Sequence, residues 1–416
     1  MANNRQAIDP ADRHILRDLA SRLANHAADP VMDERRRAWR RLAARDPQRP
    51  MILAETGGVL DELIPVATLR CSTRWQPFER SLRELIFRVE EVRDDFVLEP
   101  FINCGWHVGI SDYGVPFEQH RGDNAGKLGS YVWESPLKNF PADLDKLHPR
   151  RCHVDRDSTL AAKTELEELF DGILPVRMRG GFQWTQGMTW PAIQLVGLEQ
   201  FMVLMMDDPQ TVHRLMAFLR DDHIAVNTWL EREGLLTLNN ENDYIGSGSQ
   251  GYTDELPQAG WKEGDPVRLK DLWALSESQE TVGVGPDMFE EFVFQYQLPV
   301  IERFGLCYYG CCEPVHNRWH VVKRIPNLRR ISVSPWCDQA FMADALGRDY
   351  IFCRKPNPTL ISVERFDEGL IRRDIRETLH AAGDCPLEFA MKDVHTLCDQ
   401  PSRLGRWVQI VREETT

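Results

Sequence analysis

Short apolar runs alternate with helical patterns through the second half of the chain, and this rhythm restricts the folds open to it. Six such runs begin 22 to 37 residues apart, at 235–238, 272–275, 305–309, 328–333, 350–353 and 387–391. The helical patterns cover residues 209–234, 286–304, 338–346, 364–382 and 401–413. Strands that alternate with helices at this spacing predict βαβ units and a parallel sheet.

Two earlier apolar runs, beginning near residues 51 and 96, bring the number of expected strands to eight. Eight strands predict an α/β fold of the TIM or (β/α)8 barrel type. An open doubly wound sheet is the alternative, although no GxGxxG pattern follows the first run. We expect an N-terminal helical segment at 1–46 and one barrel at 47–416. Residues 105–160, rich in Gly, Pro, Asp, Trp and Tyr, are predicted to be a long insertion over the barrel mouth.

Composition narrows the classes of partner. The chain has 64 acidic and 50 basic side chains, a formal net charge of −14, so we expect no nucleic-acid partner. No apolar run approaches the roughly 20 residues that span a bilayer, and the N-terminus lacks a signal-peptide core. We therefore expect a cytoplasmic enzyme with a small-molecule substrate and reduced cysteines. The sequence leaves open whether the enzyme forms a homodimer.

Polar residues follow each of the six runs directly. In a parallel barrel these positions all face one end, where active sites are built, so the sequence predicts a convergent site. The alternative is that these loops are polar only because loops generally are.

The segment after the run at 305–309 offers the sharpest metal-ligand candidates. Strand alternation predicts that Cys311 and Cys312 point to opposite sides and do not serve one metal together. Cys311 could share a face with Glu313, or Cys312 could lie one helical turn from His316. A thiolate, a carboxylate and an imidazole can hold catalytic zinc. The alternative is two buried, inert cysteines.

Further candidates lie in later and earlier loops. Cys337 and His395 are possible additional metal ligands. Carboxylates suited to general acid–base work occur in two pairs, Glu241 with Asp243 and Glu277 with Glu280, and each pair could instead cap a helix.

The loop after the last run presents Lys392, Asp393 and His395 as catalytic candidates. The Asp–His pair could orient the imidazole, or the histidine could be structural. The Gly-rich stretch 246–251 is predicted to be a flexible lid. The substrate-binding candidates, aromatic or polar groups near strand ends or in the insertion, are His107, Trp184, Asn240, Trp336 and Lys355.

Three segments resemble the uroporphyrinogen decarboxylase superfamily, which includes cobalamin-dependent methyltransferases. They are Arg37–Leu42 leading to Asp46–Ile52, the stretch Tyr308–Pro314, and the late stretch Met391–Thr396, within a likeness that covers roughly residues 35–413. The resemblance implies a TIM barrel and demethylation of a small methoxylated or methylated substrate. The methyl group would pass to a corrinoid on a partner protein, with zinc at an H-x-C motif.

This sequence departs from the family pattern at that motif. Cys311 matches the cysteine, but Tyr309 stands where the histidine would be, so Cys337 or His395 would have to complete the zinc site, with Glu241 in its shell. The alternative is a metal-free decarboxylase or lyase. In it Arg49, Lys355 and Lys392 would hold carboxylates, and Asp393 or Glu277 would relay protons. The R-Q-A-G-R-Y stretch of true uroporphyrinogen decarboxylases is missing. A non-catalytic binding protein is a third possibility.

Overall fold

The computed structural model describes residues 8–121, 131–180 and 185–415. The strands of this part of the chain are β1 (Met51–Ala54), β2 (Ile102–Cys104), β3 (Val108–Ile110), β4 (Glu118–Arg121), β5 (Tyr131–Glu134), β6 (Cys152–Val154), β7 (Val176–Met178), β8 (Tyr244–Ile245), β9 (Ser249–Gln250), β10 (Trp273–Ser276), β11 (Leu306–Tyr309), β12 (Leu328–Val333), β13 (Ile351–Arg354) and β14 (Leu387–Met391).

The α-helices are α1 (Pro10–Ala27), α2 (Pro30–Ala43), α3 (Leu60–Leu63), α4 (Gln76–Phe87), α5 (Arg156–Phe170), α6 (Thr189–Val196), α7 (Leu198–Asp207), α8 (Pro209–Arg232), α9 (Pro286–Phe289), α10 (Gln295–Ile301), α11 (Trp319–Val322), α12 (Gln339–Leu346), α13 (Thr359–Ser362), α14 (Glu368–Ala382) and α15 (Ser402–Thr415). Both α1 and α2 start at proline, directly after an aspartate that accepts a backbone N–H of the first turn. None of the described helices has the length and apolar character needed to cross a bilayer.

A six-stranded parallel sheet forms the centre of the molecule, in the order β1-β14-β13-β12-β11-β10. The first strand therefore lies beside the last, with Met51 opposite Glu388. Helices connect β10 to β11, β11 to β12, β12 to β13 and β13 to β14, as βαβ units require. The prediction of an α/β fold with a parallel sheet is confirmed, and five of the six late apolar runs are strands of it.

The predicted strand at 235–238 is wrong, because this stretch forms no backbone ladder. The side chain of Asn239 stands in for one: its Oδ1 accepts from Trp273 N at 2.9 Å and its Nδ2 donates to Trp273 O at 3.1 Å. Thr237 Oγ1 accepts from Gly180 N at 3.0 Å, just past β7. The side chains of Thr237 and Asn239 thus link the end of β7 to β10, and we call this contact the Asn239 seam.

The run near residue 96 becomes a strand only at Ile102, and the resulting β2 pairs with β7 in a separate parallel pair. At the free edge of β1, Asp95 Oδ2 accepts Ile52 N–H at 2.9 Å and Asp94 Oδ2 accepts Ala54 N–H at 3.0 Å. Within the described residues, no strand pairing joins these two sheets into a closed ring.

The segment predicted as an insertion contains two antiparallel pairs, β3 with β6 and β4 with β5. Beyond it, α5 leads into β7.

Alternation along the central strands separates two layers of side chains. Ile331, Phe352 and Phe389 belong to the large cluster packed against the helices. Tyr308 and Cys353, on the other face, form a small cluster with Leu275 and Ala390. Side chains two residues beyond Cys353 and Ala390 continue on this inner face at the carboxyl ends of the strands. The inner face thus carries the candidate site.

Candidate functional site

Two lysines and a cysteine meet where β11, β13 and β14 end. Lys355 comes two residues after Cys353, and Lys392 two residues after Ala390, so both continue the inner face. Cys311 follows Gly310, whose φ of 96° takes the chain out of β11. The turn between β8 and β9 brings Ser247 to the same place. We call the group of Cys311, Lys355, Lys392 and Ser247 the thiol–lysine centre.

Cys311 is held by a relay of polar groups. Ser247 Oγ donates to Cys311 Sγ at 3.2 Å, and Lys392 Nζ donates to Ser247 Oγ at 3.0 Å. The hydrogen bond with the Cys312 thiol lowers the pKa of Cys311 to about 7, aided by the charge on Lys392 and opposed by burial. A substantial fraction of this buried sulfur is therefore thiolate near neutral pH.

Cys312 lies beside Cys311 with its sulfur 3.7 Å away. The prediction that the two cysteines face opposite sides is wrong, because strand alternation stops at Gly310. Cys312 is exposed, and its sulfur lies 3.8 Å from Asp393 Oδ2. Its hydrogen bond to Cys311 raises the pKa of Cys312, so it stays a thiol.

The two lysines differ in their surroundings. Lys392 Nζ lies 3.7 Å from Asp393 Oδ1. Burial opposes its charge, but the negative charge of Glu55 and Cys311 raises the pKa of Lys392. Lys355 is 3% exposed, and its Nζ has no hydrogen-bond partner among the described residues. Burial lowers the pKa of Lys355.

The hairpin of β8 and β9 covers this centre. Tyr244 Oη donates to Glu55 Oε1 at 2.8 Å, which fixes one end of the hairpin. Gly246 has a φ of 62°, and a Cβ there would lie 2.1 Å from the Tyr308 ring. Residues 245–250 are buried, so the predicted lid is a packed plug and not an exposed flexible loop.

Two buried glutamates lie next to the centre. Glu313 Oε1 accepts a hydrogen bond from Ser278 N at 2.9 Å, and Oε2 accepts one from Cys311 N at 2.7 Å. Both carboxylate oxygens are therefore bonded to backbone N–H groups. Burial raises the pKa of Glu313. Burial, with the neighbouring Glu280 and Glu313, raises the pKa of Glu277 well above its ordinary value. The surroundings of Glu277 therefore favour its protonated form.

A cavity of about 510 Å³ also borders the hairpin. Trp273 and Phe101 form part of its apolar wall, while Asn239 and the ion-paired Arg179 and Asp243 supply polar groups. Tyr244 and Gly246 also line it.

Two of the predicted residues lie near this cavity but are otherwise engaged. Glu241 is 3.9 Å from Arg177 in a largely exposed pair. Asn240 Nδ2 donates to Leu256 O at 2.8 Å.

The remaining predicted metal ligands do not join the centre. Cys337 is buried, with its sulfur 3.8 Å from the Glu313 carbonyl oxygen, and burial raises its pKa. His316 Nδ1 accepts from Asp338 N at 3.2 Å, and His395 is exposed. No three His, Cys, Asp or Glu side chains in the described ranges are grouped so that they could hold a metal ion.

The predicted substrate-binding residues scatter as well. Trp336 is 66% exposed, and His107 contacts Ser158 in the insertion region at 2.6 Å. Trp184 lies outside the described residues. Among the described members of this set, Lys355 alone reaches the thiol–lysine centre. Sequence reasoning missed the roles of Ser247 and Glu55, although Glu55 directly follows a strand as the other polar candidates do.

Comparison with protein-family models finds no match, and neither does comparison with curated proteins. Among solved structures, a methyltransferase from Methanosarcina mazei is similar, with 12% identity and a TM-score of 0.48. The alignment covers 90% of this chain and 97% of that one. A function for this chain must therefore come from its own site.

Proposed function

We propose that this protein is a methyltransferase-like enzyme that removes a methyl group from a small methylated or methoxylated substrate, with the Cys311 sulfur as its first acceptor. One observation carries the proposal: the Cys311–Ser247–Lys392 relay at the carboxyl ends of the parallel strands. A thiolate beside a cation is an activated nucleophile, and sulfur attacks a methyl carbon readily. This end of a parallel sheet is also where active sites lie.

Lys392 has the complementary task in this proposal. As the sulfur–carbon bond forms, the bond from the methyl carbon to the substrate oxygen or nitrogen breaks, and the leaving atom needs a proton. The raised pKa of Lys392 keeps it protonated, and it lies one hydrogen bond from the hydroxyl that contacts the sulfur. Lys392 can therefore act as general acid.

The neighbouring cavity supplies room for the substrate. Its volume of about 510 Å³ falls in the range of small-molecule sites, roughly 300–1,000 Å³. Trp273 and Phe101 suit an aromatic or aliphatic body, and the ion-paired Arg179 and Asp243 supply polar groups. Tyr244 and Gly246 of the hairpin line the cavity, whereas Ser247 contacts Cys311, so the proposal requires the hairpin to shift for the methyl group to reach the sulfur.

Zinc, which the family resemblance implies, fits this site only in part. Zn–S bonds of about 2.3 Å in a tetrahedron place two sulfurs about 3.8 Å apart, and those of Cys311 and Cys312 are 3.7 Å apart. No third ligand completes the set among the described side chains, and the Lys392 ammonium is close by. The hairpin covers Cys311, so a corrinoid would reach the sulfur only after the same shift of the hairpin. Zinc and a corrinoid partner stay predictions.

Intact-protein mass spectrometry tests the proposal. The protein is incubated with a panel of methoxylated aromatics and methylamines, and a mass gain of one methyl group is expected, located at Cys311. Cys311→Ala should abolish it. Cys385→Ala is the matched control, because Cys385 precedes β14 at the opposite end of the sheet. Methylation that persists in Cys311→Ala, or demethylation at full rate without Cys311, would refute the proposal.

A second candidate is a metal-free decarboxylase or lyase for a carboxylated substrate. It is favoured by Lys355, a buried ammonium without a hydrogen-bond partner at the same strand ends as Lys392. A substrate carboxylate would supply that partner. Carbon dioxide release that survives Cys311→Ala and is lost in Lys355→Met would select this candidate over methyl transfer.

A further inference from the structure

Cys311 and Cys312 form a pair that connects the interior to the surface. Cys311 is 3% exposed, Cys312 is exposed, and their sulfurs lie 3.7 Å apart. The Ser247 hydroxyl and the Lys392 ammonium lie on one side of the pair, and the Asp393 carboxylate on the other. In the proposed methyl transfer only the buried Cys311 sulfur forms a bond to the methyl group, and Cys312 contributes its hydrogen bond to that sulfur.

We propose that this pair is a reversible oxidation site, at which a hydroperoxide converts the adjacent thiols to a disulfide and thereby blocks the thiol–lysine centre. The inference holds whether or not Cys311 accepts a methyl group. It rests on the separation of the two sulfurs, on the contrast in their exposure, and on the polar groups that flank them.

The chemistry proceeds in two balanced steps. First, the Cys311 thiolate attacks hydrogen peroxide and the O–O bond breaks, so that a sulfenic acid forms and hydroxide departs; the hydroxide takes a proton from solvent and leaves as one water. Next, the Cys312 sulfur attacks the Cys311 sulfur and the S–O bond breaks. The departing hydroxide takes the proton that Cys312 gives up, which passes by way of Asp393, and leaves as a second water. The two sulfurs lose two electrons in total, and the peroxide gains them.

The local geometry permits this reaction and makes its product easy to reverse. The sulfurs must close from 3.7 Å to about 2.05 Å, and Cys312 is exposed, so its side chain can rotate. Adjacent Cα atoms across a trans peptide are about 3.8 Å apart, which is less than the roughly 4.4 Å minimum usual for disulfides. A disulfide here is therefore strained, and strained disulfides are readily reduced.

The charged groups that flank the pair favour Cys311 as the first sulfur to react. Lys392, through Ser247, stabilises negative charge on Cys311, whereas Cys312 faces the Asp393 carboxylate. Cys311 is thus expected to be the attacking sulfur and Cys312 the resolving one. Without Cys312, the sulfenic acid has no nearby thiol and proceeds to the sulfinic acid.

The test uses the full chain, reduced with dithiothreitol, freed of it and then treated with hydrogen peroxide. Thiols titrated in urea should fall from the ten cysteines of the chain to eight, and dithiothreitol should restore all ten. Tandem mass spectrometry should place the linkage at Cys311–Cys312. Cys312→Ser should instead lose the Cys311 thiol to sulfinic acid, which dithiothreitol does not recover. Cys385→Ala should still form the linkage.

Two results would overturn the inference. One is sulfinic acid at Cys311 accumulating equally fast in the wild type and in Cys312→Ser. The other is obtained when the same peroxide treatment is applied to both proteins: the wild type keeps all ten thiols, although Cys311 is modified in Cys312→Ser. Either result would show that Cys312 does not resolve an oxidised Cys311.

Discussion

Replacement of Ser247 by alanine should raise the pKa of Cys311 by a calculable amount. Ser247 Oγ donates to the sulfur at 3.2 Å, and alanine removes this hydrogen bond. Hydrogen bonds to charged groups contribute about 1.5–3 kcal/mol, which corresponds to about 1–2 pKa units. The pKa of Cys311 should therefore rise from about 7 to about 8–9. The thiolate fraction near pH 7 would fall from about half to roughly a tenth or less.

The measurement is the rate of iodoacetamide alkylation at Cys311 as a function of pH, followed by peptide mass spectrometry. Ser249→Ala is the matched control. It removes a hydroxyl from the same hairpin, but this hydroxyl donates to Glu388 and does not contact the thiol. Its alkylation profile should coincide with that of the wild type. An unchanged midpoint in Ser247→Ala would show that Ser247 does not stabilise the thiolate.

Three further changes test the packing of the site. Lys355→Met removes a buried ammonium that has no hydrogen-bond partner in the described part of the chain and lies 5.7 Å from the centroid of the Tyr308 ring, so urea denaturation near pH 7 should show a gain of about 1–3 kcal/mol in unfolding free energy. Gly246→Ala forces a Cβ against Tyr308 and should cost about 2–4 kcal/mol, seen as a lower Tm. Asn239→Ala removes both hydrogen bonds to Trp273 and should cost about 1–3 kcal/mol in the same urea assay.

For each of these three substitutions, a specific result would contradict the prediction. Burial lowers the folded-state pKa of Lys355, so between that value and the ordinary lysine pKa the unfolded chain binds more protons. Wild-type stability should then rise with pH across this window, and the Lys355→Met curve should lack that rise. Parallel pH curves would contradict the assignment. A Gly246→Ala or Asn239→Ala protein as stable as the wild type would contradict the contacts described for those residues.

The sequence predicted the central sheet well, because buried parallel strands are continuous apolar runs. It failed at 235–238, where Asn239 replaces a backbone ladder with its own amide, since the composition of the run does not reveal that contact. It also missed β7, whose three residues include Arg177 and give too short and too polar a signal.

For the site, the rule that polar residues gather after parallel strands placed Cys311, Lys355 and Lys392 correctly at one rim. The same rule does not tell inner from outer positions once a strand ends, so Cys337 and His395 were also expected there. Ser247 could not be placed, because it arrives on a hairpin whose path depends on glycine packing against Tyr308.

The Asn239 seam has a consequence for how this pocket can change. Thr237 and Asn239, which hold β7 near β10, also line the cavity of about 510 Å³. Within the six-stranded sheet, moving two strands apart means breaking several main-chain hydrogen bonds at once. At the Asn239 seam, a single substitution alters the spacing of the cavity wall and leaves every strand ladder intact. Changes of pocket width, in evolution or in the laboratory, should therefore concentrate at Thr237 and Asn239.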